Sequence, residues 1–198
     1  MTDEERNRWD DRYRARDDPS PGDPSPILEA AVDDHPPGRA LDVATGGGRN
    51  ARYLASHGWA VDALDISRVV LERAQRRTRR EGLSINWILA DADRYGFPRR
   101  TYDLVTISFF DARGSLPEII EALTPVGTLV YEHYIDSGGT GDTNSNSSGS
   151  GPSDRYRFRP GELLERCRAL EVQIQAYDEY ERRGEERVTL VGRRPEDE

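Results

Sequence analysis

The run Leu41-Asp42-Val43-Ala44-Thr45-Gly46-Gly47-Gly48-Arg49-Asn50 constrains this chain more than any other stretch. A short apolar strand feeds three successive glycines, and a segment with helical patterning follows. Glycine tolerates positive φ and lets bare backbone approach a ligand. The free amides that open the next helix then point at whatever lies in the turn. The run therefore predicts a strand–turn–helix unit with a ligand at the turn, or else a tight turn with no ligand. Gly46, Gly48 and Ala51 also satisfy the G-x-G-x-x-A pattern of dinucleotide-binding turns.

The same alternation continues along the chain. Arg39 to Ala44, Trp59 to Asp65, Ser84 to Ala90, Tyr102 to Phe109 and Thr128 to Tyr134 read as strands. Asn50 to His57, Ser67 to Glu81 and Ser115 to Leu123 read as helices, and another helix starts near Pro160. Nearly continuous apolar strands separated by helices predict a sheet covered on both faces. Glu171 to Tyr177 and Arg187 to Arg193, joined around Gly184, add a C-terminal antiparallel pair. The expected fold is α/β: a Rossmann-like, doubly wound, mostly parallel seven-stranded sheet.

At 198 residues the chain fits one domain, residues 1–198. Residues 1–36 are expected to form a helical cap. Its first helix, Thr2 to Arg16, sets Trp9 and Tyr13 one turn apart, and a proline-rich connector leads to Pro26 to Val32. Ser137 to Ser153 is almost wholly Gly, Ser, Thr, Asn and Asp, which predicts a flexible loop. It is either a lid over the ligand end of the sheet or a tolerated insertion.

Composition narrows the partners. No run approaches the ~20 apolar residues of a membrane span, and Thr2 to Asp18 lack the apolar core of a signal peptide. A soluble, cytoplasmic protein is expected. The single Cys167 excludes an internal disulfide. No metal-ligand set is evident. Asp plus Glu number 37 against 28 basic residues, all arginine, for a net charge of −9. Such a balance argues against a nucleic-acid-binding face. The acidic, lysine-free composition suits a salt-adapted surface, or an ordinary acidic protein from a GC-rich genome.

Two further acids stand where strands end. Asp65 closes the second strand, where a carboxylate can accept hydrogen bonds from both ribose hydroxyls of an adenosine cofactor. Its alternative role is to lead into a helix capped by Ser67. Asp62, in mid-strand, reads as structural. Leu89-Ala90-Asp91-Ala92 closes the third strand with an acid and a small residue.

With these three acids in place the chain resembles the class I S-adenosylmethionine-dependent methyltransferases. The resemblance implies S-adenosylmethionine as cofactor, with Asp42 toward its methionine end. It sets Asp65 and the adjacent Ile66 at the ribose, and Asp91 with Ala92 at the adenine. Ala44, Gly46, Gly48 and Asn50 would form the turn around it, and Phe109 would either wall it or belong to the core.

Gly48-Arg49-Asn50 followed by Tyr53-Leu54, Gly58-Trp59, Trp9-Asp10-x-Arg12-Tyr13, Phe158 and Gly161-Glu162-Leu163 resemble the tellurite-resistance and thiopurine-methyltransferase-like branch. The resemblance spans Trp9 to Arg194 and implies methyl transfer to a small-molecule acceptor, a thiol or a selenium or tellurium oxyanion. Two positions depart from the family pattern. Ala44 replaces the first glycine, and Pro125-Val126-Gly127 stands where Pro-Gly-Gly is usual. After the fourth strand, Ser108-Phe109-Phe110-Asp111 is not the Asn/Asp-Pro-Pro-Tyr/Phe motif of amino-group methylation on bases.

On the acceptor side the candidate catalytic residues are His133, Arg113 and Tyr156, each with a structural alternative. The sequence also permits two rivals: a nicotinamide-dependent oxidoreductase, and a non-catalytic cofactor-binding regulatory protein.

Overall fold

Arg39–Val43 (β1) is buried from Ala40 onward, as a strand covered on both faces must be. Leu41 and Val43 face one core while Ala40 faces the other, so the two-residue period of the strand divides its side chains between two layers. The computed structural model describes residues 3–16, 21–33, 35–136 and 156–196. The segment Ser137 to Ser153, where a lid or insertion was expected, lies outside them.

β1 pairs in parallel with Ala60–Asp65 (β2) and with Tyr102–Ser108 (β4). Outside β2 runs Asn86–Leu89 (β3), and outside β4 runs Leu123–Tyr134 (β5), both parallel. Glu185–Arg193 (β7) then pairs antiparallel with β5 on one side and with Gln173–Arg182 (β6) on the other. The order is β3-β2-β1-β4-β5-β7-β6 in one seven-stranded sheet. The dinucleotide-binding order, 3-2-1-4-5-6, has no reversed strand inserted before its last member.

Asp3–Arg14 (α1) and Pro26–Val32 (α2) precede the sheet. Arg49–Ser56 (α3), Arg68–Arg80 (α4), Leu116–Ala122 (α5) and Glu162–Ala169 (α6) occupy the connections. Leu28 and Val32 of α2 and Ala51 and Leu54 of α3 cover one face of the sheet. Leu116, Ile119 and Ile120 of α5 and Leu163 and Cys167 of α6 cover the other. α4 starts at a Ser67 N-cap, whose Oγ accepts from the Val70 amide at 3.3 Å. Among the described residues no helix is long and apolar enough to cross a membrane.

Several boundaries differ from expectation. β5 begins at Leu123 rather than Thr128, because Leu123 already pairs with Tyr102 before a register shift. β6 runs on to Arg182, five residues past Tyr177, since an edge strand tolerates the polar residues there. The two departures from the family pattern keep the backbone that glycine would give: φ is +53° at Ala44 and +59° at Val126.

Candidate active site

Four parallel strands, β1 to β4, end at one edge of the sheet, where ligands of open α/β folds bind. A cavity of about 680 Å³ lies there, within the range of small-molecule sites.

Asp42 is buried near the end of β1, and its Oδ2 accepts from Thr45 Oγ1 at 2.5 Å and from the Ala51 amide at 3.1 Å. It thus ties the glycine turn to the first turn of α3. Burial pushes its pKa up to about 7, against the pull of the Thr45 hydrogen bond. Asp65 ends β2, equally withdrawn from water. Its two oxygens accept from the amides of Gly46 and Ser67, both at 2.8 Å. Its carboxyl is pushed up to about 6, again by burial. Asp91 follows β3, and its Oδ1 accepts from the Asp93 amide at 3.0 Å. All three acids line the cavity.

Of the turn residues predicted to surround a cofactor, Ala44, Gly46 and Asn50 line the cavity, as do Ile66, Ala92 and Phe109. Asn50 is anchored from two sides: Nδ2 donates to Ser108 Oγ at 3.0 Å, and Oδ1 accepts from the Ser25 amide at 2.9 Å. Gly48 has a different place. It caps α3 at φ +78° and is not part of the lining; a Cβ there would stand 2.7 Å from Trp87 Cη2. Its glycine is required by packing as well as by the turn.

Sequence reasoning did not place α1 over this cavity. Asp10 is buried and accepts from Ser67 Oγ at 2.5 Å, and Arg73 Nη1 donates to the Tyr13 carbonyl at 2.7 Å. These bonds fix α1 on the start of α4 and turn Trp9, Arg12 and Tyr13 into the cavity. The Tyr13 hydroxyl stands over the glycine turn, 3.3 Å from where a Cβ on Gly46 would be. Burial, and then Asp65, raise its pKa.

The opposite end is aromatic. Phe109, at φ +57°, lies 4.7 Å from Tyr134 between ring centroids, and Phe110 and Tyr156 complete that wall. The guanidiniums of Arg49 and Arg187 stand 5.5 and 5.0 Å from the Phe109 ring centre. Both reach the buried Glu132, each at 3.3 Å.

Among the catalytic candidates, Tyr156 lines the cavity and the other two do not. His133 is buried against Tyr131 and Phe158, and its Nδ1 accepts the Tyr134 amide at 2.7 Å. Burial lowers its pKa to about 4, which leaves a neutral ring in the core. Arg113 is held by Glu162 at 2.8 Å and Asp111 at 2.7 Å, with its guanidinium 4.1 Å from the Phe158 ring centre. These pairs absorb it into the packing of α6.

The donor set fits S-adenosylmethionine: carboxylates end three adjacent strands, and the glycine turn presents backbone between the first two. With its reversed β7, the sheet has the α/β Rossmann-like fold of methyltransferases. Residues 40–127 match the family model described as a methyltransferase domain.

A demethylmenaquinone methyltransferase of Clavibacter sepedonicus is 35% identical over 97 residues, 46% of this chain and 39% of that protein. The chain thus spans about two fifths of that relative's length. TehB from Haemophilus influenzae has the same fold, with a TM-score of 0.68, 20% identity, and coverage of 84% of this chain and 61% of that one. So does an N-methyltransferase of Haemonchus contortus in complex with phosphomonomethylethanolamine and S-adenosylhomocysteine. Its TM-score is 0.71 at 17% identity, covering 86% of this chain and 52% of that one.

Proposed function

We propose that the protein transfers the methyl group of S-adenosylmethionine to a small-molecule acceptor, a thiol or a selenium or tellurium oxyanion. The observation that carries this reading is the meeting of Asp42, Asp65 and Asp91 in one cavity beneath α1. In this reading Asp65 accepts from the ribose hydroxyls, Asp91 faces the adenine amino group, and Ile66 and Ala92 pack beside them. Asp42, Ala44, Gly46 and Asn50 surround the methionine end, while Gly48 keeps the turn closed against Trp87. Phe109 walls the acceptor end.

Bound S-adenosylmethionine supplies a methyl group already activated on a positively charged sulfur. What the chain must add is placement and exclusion of water, and positioning alone is worth roughly 7–11 kcal/mol in well-oriented reactions. An acceptor that arrives ionised needs no strong base. The Phe109–Tyr134 wall and the cap of Trp9 and Tyr13 shield opposite ends of the cavity. The tellurite-resistance-like segments at Trp9 to Tyr13 and Gly161 to Leu163 support the thiol or chalcogen acceptor. The Clavibacter relative, named for a quinone, supports the broader class of small organic acceptors.

The test is a turnover assay with S-adenosylmethionine and separate pools of thiols, selenite and tellurite, and quinols. S-adenosylhomocysteine formed only when an acceptor is present is the expected result. A protein that binds the cofactor yet turns over none of these pools would be a cofactor-binding regulator instead.

A further inference from the structure

Four arginines, Arg8, Arg12, Arg16 and Arg49, line the cavity in a chain whose net charge is −9. Three carboxylates, Asp42, Asp65 and Asp91, line it with them, one fewer than the guanidiniums. Arg8, Arg12 and Arg16 follow at four-residue spacing, which places them along one side of α1 and the turn after it. Among the described residues Arg8 and Arg16 make no ion pair.

The ion pairs beside Phe109 do not reverse this balance. Glu132 is 1% exposed and is shared by Arg49 and Arg187. Its Oε2 additionally accepts from Ser25 Oγ at 2.8 Å. With Arg49 already counted, Arg187 offsets Glu132 and the surplus of one positive charge is unchanged, while both guanidiniums stand over the ring of Phe109. A cofactor that brings one carboxylate of its own, together with an ammonium and a sulfonium, does not remove this excess.

Resting on the methyltransferase reading, we propose that the acceptor is a planar organic anion: an arene bearing a carboxylate, phenolate or thiolate. Its ring would stack in the aromatic end formed by Phe109, Phe110, Tyr134 and Tyr156. Its charge is met by Arg49, whose planar guanidinium suits such groups, and is drawn in past the arginines of α1. The same excess charge holds an acidic thiol or phenol in its ionised, nucleophilic form.

The experiment uses the full chain saturated with S-adenosylhomocysteine, and calorimetry with 2-naphthoate, 2-naphthamide and selenite as probes. 2-Naphthoate should bind about tenfold or more tighter than 2-naphthamide, the size of one hydrogen bond to a charged group. Arg49→Gln should bring the two within about threefold. Arg8→Gln/Arg16→Gln, which alters exposed positions only, should weaken 2-naphthoate and leave 2-naphthamide unchanged. Equal or tighter binding of 2-naphthamide, binding of neither arene, or selenite binding tighter than 2-naphthoate would overturn the inference. If S-adenosylhomocysteine itself fails to bind, the methyltransferase reading falls and takes this one with it. If it binds and the preference for the anion is missing, only the acceptor class falls.

Discussion

The Gly46 amide donates to the Asp65 carboxylate at 2.8 Å, so the glycine turn after β1 and the acid ending β2 form one unit. The bond orients the carboxylate that the proposed function assigns to the ribose. Asp65→Ala should therefore weaken S-adenosylhomocysteine binding by roughly ten- to hundred-fold, the loss expected for hydrogen bonds to a charged group. Calorimetric titration of the variant checks this, and unchanged affinity would remove Asp65 from the site.

Asp42 and Asp65 also predict opposite responses of stability and affinity to pH. Their carboxyls rise on folding from 3.8 to about 7 and about 6, because burial disfavours the charged form. A raised folded pKa means that their contribution to stability is full below about pH 4 and is lost as pH rises through 6 to 7. Glu162 acts in the other sense. Hydrogen bonding from Arg113 holds its pKa at about 2, so its contribution holds above 4.5 and is lost only as pH falls toward 2. The ligand-free protein should thus melt higher at pH 5 than at pH 8. Affinity for S-adenosylhomocysteine should instead fall as pH drops through about 6 and Asp65 takes up a proton. Melting curves with and without ligand across this window read both trends, and parallel trends would contradict the assignment.

The positive φ at Val126 and Ala44 yields a stability prediction. A left-handed backbone costs a non-glycine residue about 1–2 kcal/mol, and a β-branched side chain is least suited to it. Val126 is 48% exposed, so trimming it forfeits little burial. Val126→Gly should stabilise by about 1 kcal/mol, a rise of roughly 2–4 °C in Tm. Ala44→Gly should gain less, since glycine costs chain entropy on folding. Thermal melts of both variants check this; a lower Tm for Val126→Gly would show that the turn is not strained.

The excess of acids predicts a response to salt. Screening shortens from ~10 Å at 0.1 M to ~3 Å at 1 M, relieving repulsion among carboxylates in a chain of net charge −9. Tm should rise between these concentrations of sodium chloride. A flat or falling Tm would leave the acidity as ordinary composition.

What the sequence made legible was local. Strand–turn–helix patterning located the sheet and set Asp42, Asp65 and Asp91 at its edge, because each acid ends an apolar run. The contacts that support the cavity from behind its lining join distant positions. Asp10 meets Ser67 across 57 positions, and no periodicity within Thr2 to Arg16 encodes that docking, although Trp9 and Tyr13 were legible as a pair. Glu132 looks like one polar residue in an apolar strand until Ser25, Arg49 and Arg187 are seen around it. His133 sits one residue later, on the opposite face of β5, which turns it into the Tyr131 and Phe158 cluster. Gly48 matched the glycine pattern for a second reason, the nearness of Trp87, that only the folded chain reveals.

The most direct test of the central claim is equilibrium binding of S-adenosylhomocysteine in competition with NAD. The cavity that joins Asp65, Asp91 and the Gly46 turn predicts one site per chain for S-adenosylhomocysteine, with NAD unable to displace it. Tighter binding of NAD, or no binding of S-adenosylhomocysteine to the folded chain, would contradict the account.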